Sequence, residues 1–154
     1  MVNPNADRSL TITTAHFGPV EVQREQLLYC SAGLPPFHDL HLYVLLSKEE
    51  EYPFLWLQSV EQQALALVVA PYEMVVGQPA PDLSPLTRDL LGLQEEEQPE
   101  VYVIICLAPE PQESTMNLLA PLYICNGTGQ ARQVILEGEV ALTRVPLLQN
   151  LEVA

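Results

Sequence analysis

Apolar and polar residues alternate with a period of two along much of this chain, and the alternation breaks at short clusters of turn-forming residues. From Ser9 to Ala15, Leu10, Ile12 and Thr14 fall on one face of an extended segment and Ser9, Thr11 and Thr13 on the other. His16-Phe17-Gly18-Pro19 interrupts this pattern and Val20-Glu21-Val22-Gln23 resumes it, which predicts a hairpin. Leu27 to Cys30 is a short apolar segment. It stops at Gly33-Leu34-Pro35-Pro36-Phe37, a stretch unsuited to regular helix or central strand because proline lacks the N–H that either would use. His41 to Leu46 predicts the next strand, with Lys48-Glu49-Glu50-Glu51 as its exposed turn.

The densest apolar stretch runs from Pro53 to Val69 and holds Trp56, the only tryptophan. In an extended chain Phe54, Trp56 and Gln58 share one face, and Leu55, Leu57 and Ser59 the other. The Ala64 to Ala70 run is too short to cross a membrane and too apolar for a half-exposed strand, so it reads as a strand covered on both faces. Only Val60-Glu61-Gln62-Gln63 separates the two, and so tight a connection requires antiparallel pairing. Pro71 and Gly77-Gln78-Pro79-Ala80-Pro81 mark irregular surface chain.

One short helix is predicted from Ser84 to Gly92. Ser84 suits the N-cap, Pro85 the first helical position and Gly92 the left-handed stop, and Leu86, Leu90 and Leu91 form an apolar stripe. Glu95-Glu96-Glu97-Gln98-Pro99 then forms a solvated loop leading to Val101–Cys106, apolar on both faces. Met116 to Cys125 is a long strand in which Pro121 marks an edge or a bulge. Asn126-Gly127 signals a hairpin, Arg132–Leu136 the returning strand and Leu142–Val145 a last one. Strands in quick succession, several with two apolar faces, predict an all-β fold: one antiparallel β-barrel-like domain over residues 1–154 with one short helix. A partly covered β-sandwich is the alternative.

Charge changes this picture from a generic barrel to a polarised one. The chain carries 48% hydrophobic residues yet a net charge of −14, which implies a sharply segregated core and surface. Between Glu49 and Glu113 there are 13 acids and one base, Arg88. Such a surface repels phosphates, so direct nucleic-acid binding is not expected, whereas a basic protein would be steered towards it. Acidity also serves solubility by itself.

Cys30, Cys106 and Cys125 form no C-x-x-C pair; Cys106 and Cys125 lie in apolar runs, where a free thiol acts as a small hydrophobe. With no apolar signal segment at the N-terminus and no membrane-length run, a cytoplasmic protein without membrane association is expected. His38 and His41, with His16, are too few for a metal site on their own, and G-x-S-x-G and Gly-rich phosphate loops are absent. No cofactor, metal or catalysis is therefore expected, and an interaction module is the leading class. A metal-dependent or hydrolytic small β-barrel enzyme is the alternative.

Three segments, in this order, resemble the bacterial flagellar assembly factor FliW family. They are Gly33-Leu34-Pro35-Pro36-Phe37; Pro53-Phe54-Leu55-Trp56-Leu57-Gln58-Ser59 followed by Ala64-Leu65-Ala66-Leu67-Val68-Val69; and Thr115-Met116-Asn117-Leu118-Leu119-Ala120-Pro121-Leu122-Tyr123-Ile124 with Gln133-Val134-Ile135-Leu136. Pro36 stands where the family has glycine and Met116 where it has alanine, and Ala70-Pro71-Tyr72 lacks an aspartate often found there. The resemblance implies a non-enzymatic regulator that binds two partners, the RNA-binding translational repressor CsrA and flagellin, and relieves repression of flagellin synthesis in a partner switch. Phe54, Leu57, Leu67, Val69, Leu118 and Ile124 are expected in the core. The candidate partner-binding residues are Gln58, Ser59 and Asn117, with Glu49, Glu50, Glu51, Glu95, Glu96 and Glu97 as steering charges.

Overall fold

The computed structural model describes residues 9–34 and 37–147, so Pro36 and its departure from the family turn lie outside the described residues. Strands β1 (Ser9–Thr14) and β2 (Gly18–Gln23) form the expected hairpin. Next come β3 (Leu28–Tyr29), β4 (Leu42–Ser47), β5 (Leu55–Ser59) and β6 (Ala66–Pro71). Two short helices, α1 (Tyr72–Val76) and α2 (Pro85–Leu91), occupy the connection to β7 (Glu100–Cys106). The chain continues through β8 (Thr115–Cys125), β9 (Gln130–Gln133) and β10 (Val145–Pro146).

Seven strands close a barrel in the ring order β8-β7-β6-β5-β4-β3-β9, with β9 returning to β8. A ring with an odd number of strands cannot alternate direction all the way round, so at least one neighbouring pair must be parallel. That pair is β3 and β9, which meet at a single position, Tyr29 opposite Gln130, where the Tyr29 N–H donates to the Gly129 carbonyl at 2.7 Å. All other pairs in the ring are antiparallel. β10 pairs with the start of β8, outside the ring.

The two-faced apolar pattern has a direct structural cause. Tyr43, Leu57, Val69, Leu122, Ile124 and Ala131 fill the barrel, joined by Leu45, Leu55, Leu67, Tyr102 and Ile104. Residues of opposite parity face outwards and are covered by three separate flaps. The β1–β2 hairpin lays Ile12 and Val22 on Val44. Tyr72 and Val75 of α1, with Leu147, cover Val68, Ala70, Val103, Ile105 and Met116. Leu91 and Leu93 cover Tyr123 and Cys125. Each fully buried Val or Leu contributes about 1.5–3 kcal/mol of transfer free energy, so a strand covered on both faces, such as β6, gains on every residue rather than every second one.

Some expectations are revised. Pro121 does sit in a bulge: Tyr102 pairs with Leu122 and Ile104 with Asn117, so Val103 alone faces four residues of β8. The returning strand ends at Gln133, although Val134 and Leu136 still donate to the carbonyls of Pro121 and Leu119. The last strand is Val145–Pro146; Val140–Thr143 is a 3-10 turn closed by Thr143 Oγ1 on the Val140 carbonyl at 2.7 Å. α1 lies where the pattern predicts no element, since five residues are too few for a period to register; its buried residues, Tyr72 and Val75, are three apart. In α2 only Leu91 of the predicted stripe is buried, with Leu86 and Leu90 exposed by 70% and 50%. The reason is that α2 is anchored at its C-terminal end, where Thr128 Oγ1 donates to the Leu91 carbonyl at 2.7 Å. Cys106, the last residue of β7, is exposed and is not the core residue its apolar neighbours implied. Cys30 and Cys125 are buried, and burial pushes the Cys30 thiol up to about 11 against the opposing pull of Arg132.

Candidate partner surface at the acidic end of the barrel

Antiparallel alternation places the β4–β5, β6–β7 and β8–β9 connections at one end of the barrel. The first carries Glu49, Glu50 and Glu51; the second carries Glu73, Asp82, Asp89, Glu95, Glu96 and Glu97, and Glu100 opens β7. Ten of the thirteen carboxylates between Glu49 and Glu113 thus gather at this end, and Glu61, Glu110 and Glu113 are left at the other. Two acidic runs more than forty positions apart in sequence become one rim.

Both runs are held in defined shapes. Residues Glu49–Glu51 form a 3-10 turn, and Trp56 Nε1 donates to Glu51 Oε1 at 3.3 Å. The same indole stacks on His16 with ring centroids 4.6 Å apart and meets Phe17 edge-on, which fastens the β1–β2 turn to this corner. In the second run Arg88 Nη2 donates to the carbonyls of Gln94 (2.7 Å), Glu97 (2.7 Å) and Glu95 (3.4 Å). Glu97 Oε1 accepts the Gln94 N–H at 3.0 Å. The single base of the acidic stretch is therefore directed at backbone, and it curls the loop so that Glu95 and Glu96 point to solvent.

The expected site residues divide accordingly. Glu49, Glu50, Glu95 and Glu96 are exposed on the rim, whereas Glu51 and Glu97 are half-buried and each accepts a hydrogen bond that shapes its own loop. Gln58 and Ser59 require correction as surface contacts: they lie at the opposite end and are wholly buried. Gln58 Nε2 reaches the carbonyls of Ser59, Gln63 and Leu65 at 3.0–3.1 Å, and Ser59 Oγ accepts the N–H groups of Glu61 and Gln62. The Gln58 amide N–H groups and the Ser59 hydroxyl are spent on the β5–β6 loop, while Gln58 Oε1 is buried without a partner among the described residues. Asn117 is half-buried and its Oδ1 accepts the Leu119 N–H at 3.0 Å, stabilising the β8 bulge. Of the residues expected in the core, Leu57, Val69 and Ile124 are buried, and Phe54, Leu67 and Leu118 are half-buried against the core clusters.

Glu61 is a structural residue that the sequence does not single out. Its Oε1 accepts the backbone N–H groups of His41 (2.6 Å) and Leu42 (2.8 Å), tying the β5–β6 loop to the start of β4. These bonds, first that of Leu42 and then that of His41, hold the carboxyl below its usual pKa. A depressed folded-state pKa stabilises the fold above the unfolded value of about 4.3, and that contribution is lost as pH falls through the folded value. Glu61→Gln should cost about 1 kcal/mol at neutral pH, a figure kept small because the group is exposed. Urea denaturation should show the gap between variant and parent constant above about pH 5 and closing below about pH 4. A gap that widens in acid would rule out the charge-assisted bonds.

Apolar side chains are also exposed at the acidic end. Tyr52, exposed by 69%, sets its hydroxyl 3.1 Å from the sulfur of Met74 on α1. Between α1, residues 79–83 and the start of β7 lies a groove of about 760 Å³, lined by Tyr72, Tyr102, Tyr123 and several prolines. Tyr123 Oη donates to the Pro81 carbonyl at 2.8 Å and Tyr102 Oη to Glu100 at 2.9 Å. Burial raises both hydroxyls, Tyr123 to about 12, and Glu100 raises Tyr102 further. Tyrosines and prolines spread between positions 71 and 123 carry no period that would reveal this groove in the sequence. Among the described residues no three His, Cys, Asp or Glu side chains gather as a metal site, and no helix is long and apolar enough to cross a membrane.

A profile of the family described as FliW protein matches residues 11–147. The flagellar assembly factor FliW of an Exiguobacterium species is 36% identical over 126 residues, covering 82% of this chain and 87% of that protein. That of Bacillus licheniformis is 33% identical over 138 residues, covering 90% and 96%. A crystal structure of a flagellar assembly factor FliW superposes with a TM-score of 0.80 at 30% identity, covering 90% of this chain and 96% of the other. The chain belongs to the FliW family of flagellar assembly factors.

Proposed function

We propose that this chain is a non-enzymatic cytoplasmic regulator that binds a CsrA-type RNA-binding repressor and flagellin, with binding of one opposing binding of the other. The observation that carries the reading is the gathering of ten carboxylates on one end of a rigid barrel, with exposed Tyr52 and Met74 beside them. RNA-binding repressors present basic surfaces, and complementary charge accelerates encounter and disfavours wrong partners. Apolar side chains among the charges supply area that can be removed from water on contact, which charge alone does not. Direct binding to RNA is disfavoured by the same field, so relief of repression acts through the repressor.

Linkage fixes what a switch has to do. Flagellin must lower the affinity for repressor by the same factor as repressor lowers that for flagellin, and a coupling of ~1–3 kcal/mol corresponds to ~5–150-fold. Titration of labelled chain with repressor, alone and in saturating flagellin, is expected to show a loss of affinity in that range. An unchanged affinity would defeat the switch even if both partners bind. Repeating the titration with target RNA separates the modes: mutual exclusion marks competition for one repressor surface, and a ternary complex marks allosteric antagonism.

A further inference from the structure

The groove at the acidic end has a chemistry of its own. Pro71, Pro79, Pro81 and Pro99 in its walls have no backbone N–H, so these positions offer carbonyls and rings but no donors. Three carboxylates reach it, Glu73, Asp82 and Glu100, each on an exposed residue. Arg88 also lines it, but carries its Nη2 to the carbonyls of Gln94, Glu95 and Glu97. Tyrosine rings lie beneath: Tyr123 is anchored to the Pro81 carbonyl, which ties one wall to the barrel, and Tyr102 to Glu100.

Arg88 and Gln98 supply donors, but three exposed carboxylates outnumber the single cation and three tyrosines share the lining, a balance that favours a ligand rich in donors, positively charged and flat. Guanidinium meets each condition: it has five N–H donors, no acceptor, a permanent charge and a plane that stacks on aromatic rings. An anion would meet three carboxylates against one guanidinium, that of Arg88. The volume of about 760 Å³ exceeds the needs of one side chain and lies in the range that holds a small ligand or a few residues of extended chain. We infer that this groove receives an arginine-bearing extended segment of the basic partner, and that the arginine sits among Glu73, Asp82 and Glu100 over the tyrosines. The inference rests on the reading that a basic protein docks at this end, and it names the segment that does so.

The test uses the full chain and two probes. The first is a fluorescein-labelled peptide of alternating glycine and arginine, read by anisotropy at about 0.15 M salt, where bulk attraction is screened beyond ~8 Å. The arginine peptide should bind about fivefold or more tightly than its lysine counterpart, because lysine offers a point charge without the planar fork. Glu73→Gln, Asp82→Asn and Glu100→Gln keep side-chain shape and should each weaken the arginine peptide by about threefold or more, whereas Glu110→Gln with Glu113→Gln at the other end should not. Equal binding of the arginine and lysine peptides, or of the arginine peptide to parent and triple neutralised variant, overturns the groove assignment.

The second probe is the whole repressor, expected to bind the triple variant about tenfold or more weakly than the parent. Full-strength binding to that variant also overturns the groove while leaving the basic-partner reading intact. If the repressor fails to bind the parent chain, that reading falls, and the peptide comparison alone decides the groove. Unchanged circular dichroism of the three conservative variants separates lost binding from lost folding.

Discussion

Replacing Gly33 by alanine should lower the thermal midpoint by roughly 10 °C, whereas the same change at Gly18 should lower it by only about 3 °C, for a chain of this size. Both glycines have positive φ, +69° and +67°, and alanine loses about 1 kcal/mol in that left-handed region. What separates them is space. A Cβ at Gly18 meets nothing within 4 Å, but at Gly33 it would lie 2.7–2.9 Å from the backbone of His38. Backbone cannot rotate away as a side chain can, so a further ~2 kcal/mol of overpacking strain is expected. The damage reaches beyond the turn. Gly33 N–H donates to Cys30 and Cys30 N–H to His41, so this turn sets β3 against β4. Differential scanning calorimetry of the two variants decides the matter: equal midpoints would mean that the turn relaxes freely and that φ alone matters.

The second large effect is expected in association kinetics. Reversing Glu49 and Glu50 together, or Glu95 and Glu96 together, to lysine should reduce the on-rate for the repressor about tenfold at 0.01 M salt, where the Debye length is ~30 Å. The reduction should shrink to a few-fold at 0.15 M, where it is ~8 Å. Glu51 and Glu97 are left unchanged because each accepts a bond that shapes its loop, from Trp56 and Gln94. The control is Glu110 and Glu113, reversed as a pair at the far end of the barrel. It changes net charge by the same amount, so any difference among the three pairs reports position rather than total charge. Stopped-flow traces in which all three pairs behave alike would assign the acidity to solubility.

Much of the barrel is legible in the sequence because its strands obey a period of two and its breaks are marked. The Ser9–Gln23 hairpin, the pairing of Leu55–Ser59 with Ala66–Pro71 and the Pro121 bulge follow from pattern and turn chemistry alone. Double burial is visible as composition in Ala64–Ala70, but the identity of the covering flaps is not, since a residue's parity says that it faces outwards and not what lies there. The same gap explains α2: Leu86 and Leu90 look like core from their spacing, and only the anchoring of the C-terminal end by Thr128 shows that one stripe residue suffices.

The acidic end was legible as a net charge between Glu49 and Glu113, and its location required strand direction. Gln58 and Ser59 illustrate the opposite error. Polar residues at the end of an apolar strand look available to a partner, yet wholly buried they turn the Gln58 amide N–H groups and the Ser59 hydroxyl to their own loop, because a buried donor is costly unless it is bonded. The groove could not be read at all, since it is built from tyrosines and prolines that only the folded chain brings together.

The single parallel contact between β3 and β9 makes the barrel a ring with a clasp. Elsewhere neighbouring strands share two or more paired positions; here they share one, and the hydrogen bond that serves it comes from the hairpin loop, Tyr29 to Gly129. Segments held by few bonds open at lower free energy than the rest of a domain, so amide exchange is expected to be fastest across this seam. The loop that fastens the clasp is also the one whose Thr128 holds the end of α2, and α2 carries the Arg88 that curls the acidic run. The clasp and the curled acidic run thus meet at one four-residue loop, 126–129, so a substitution that breaks the Thr128 bond to Leu91 is expected to disturb both the seam and the rim.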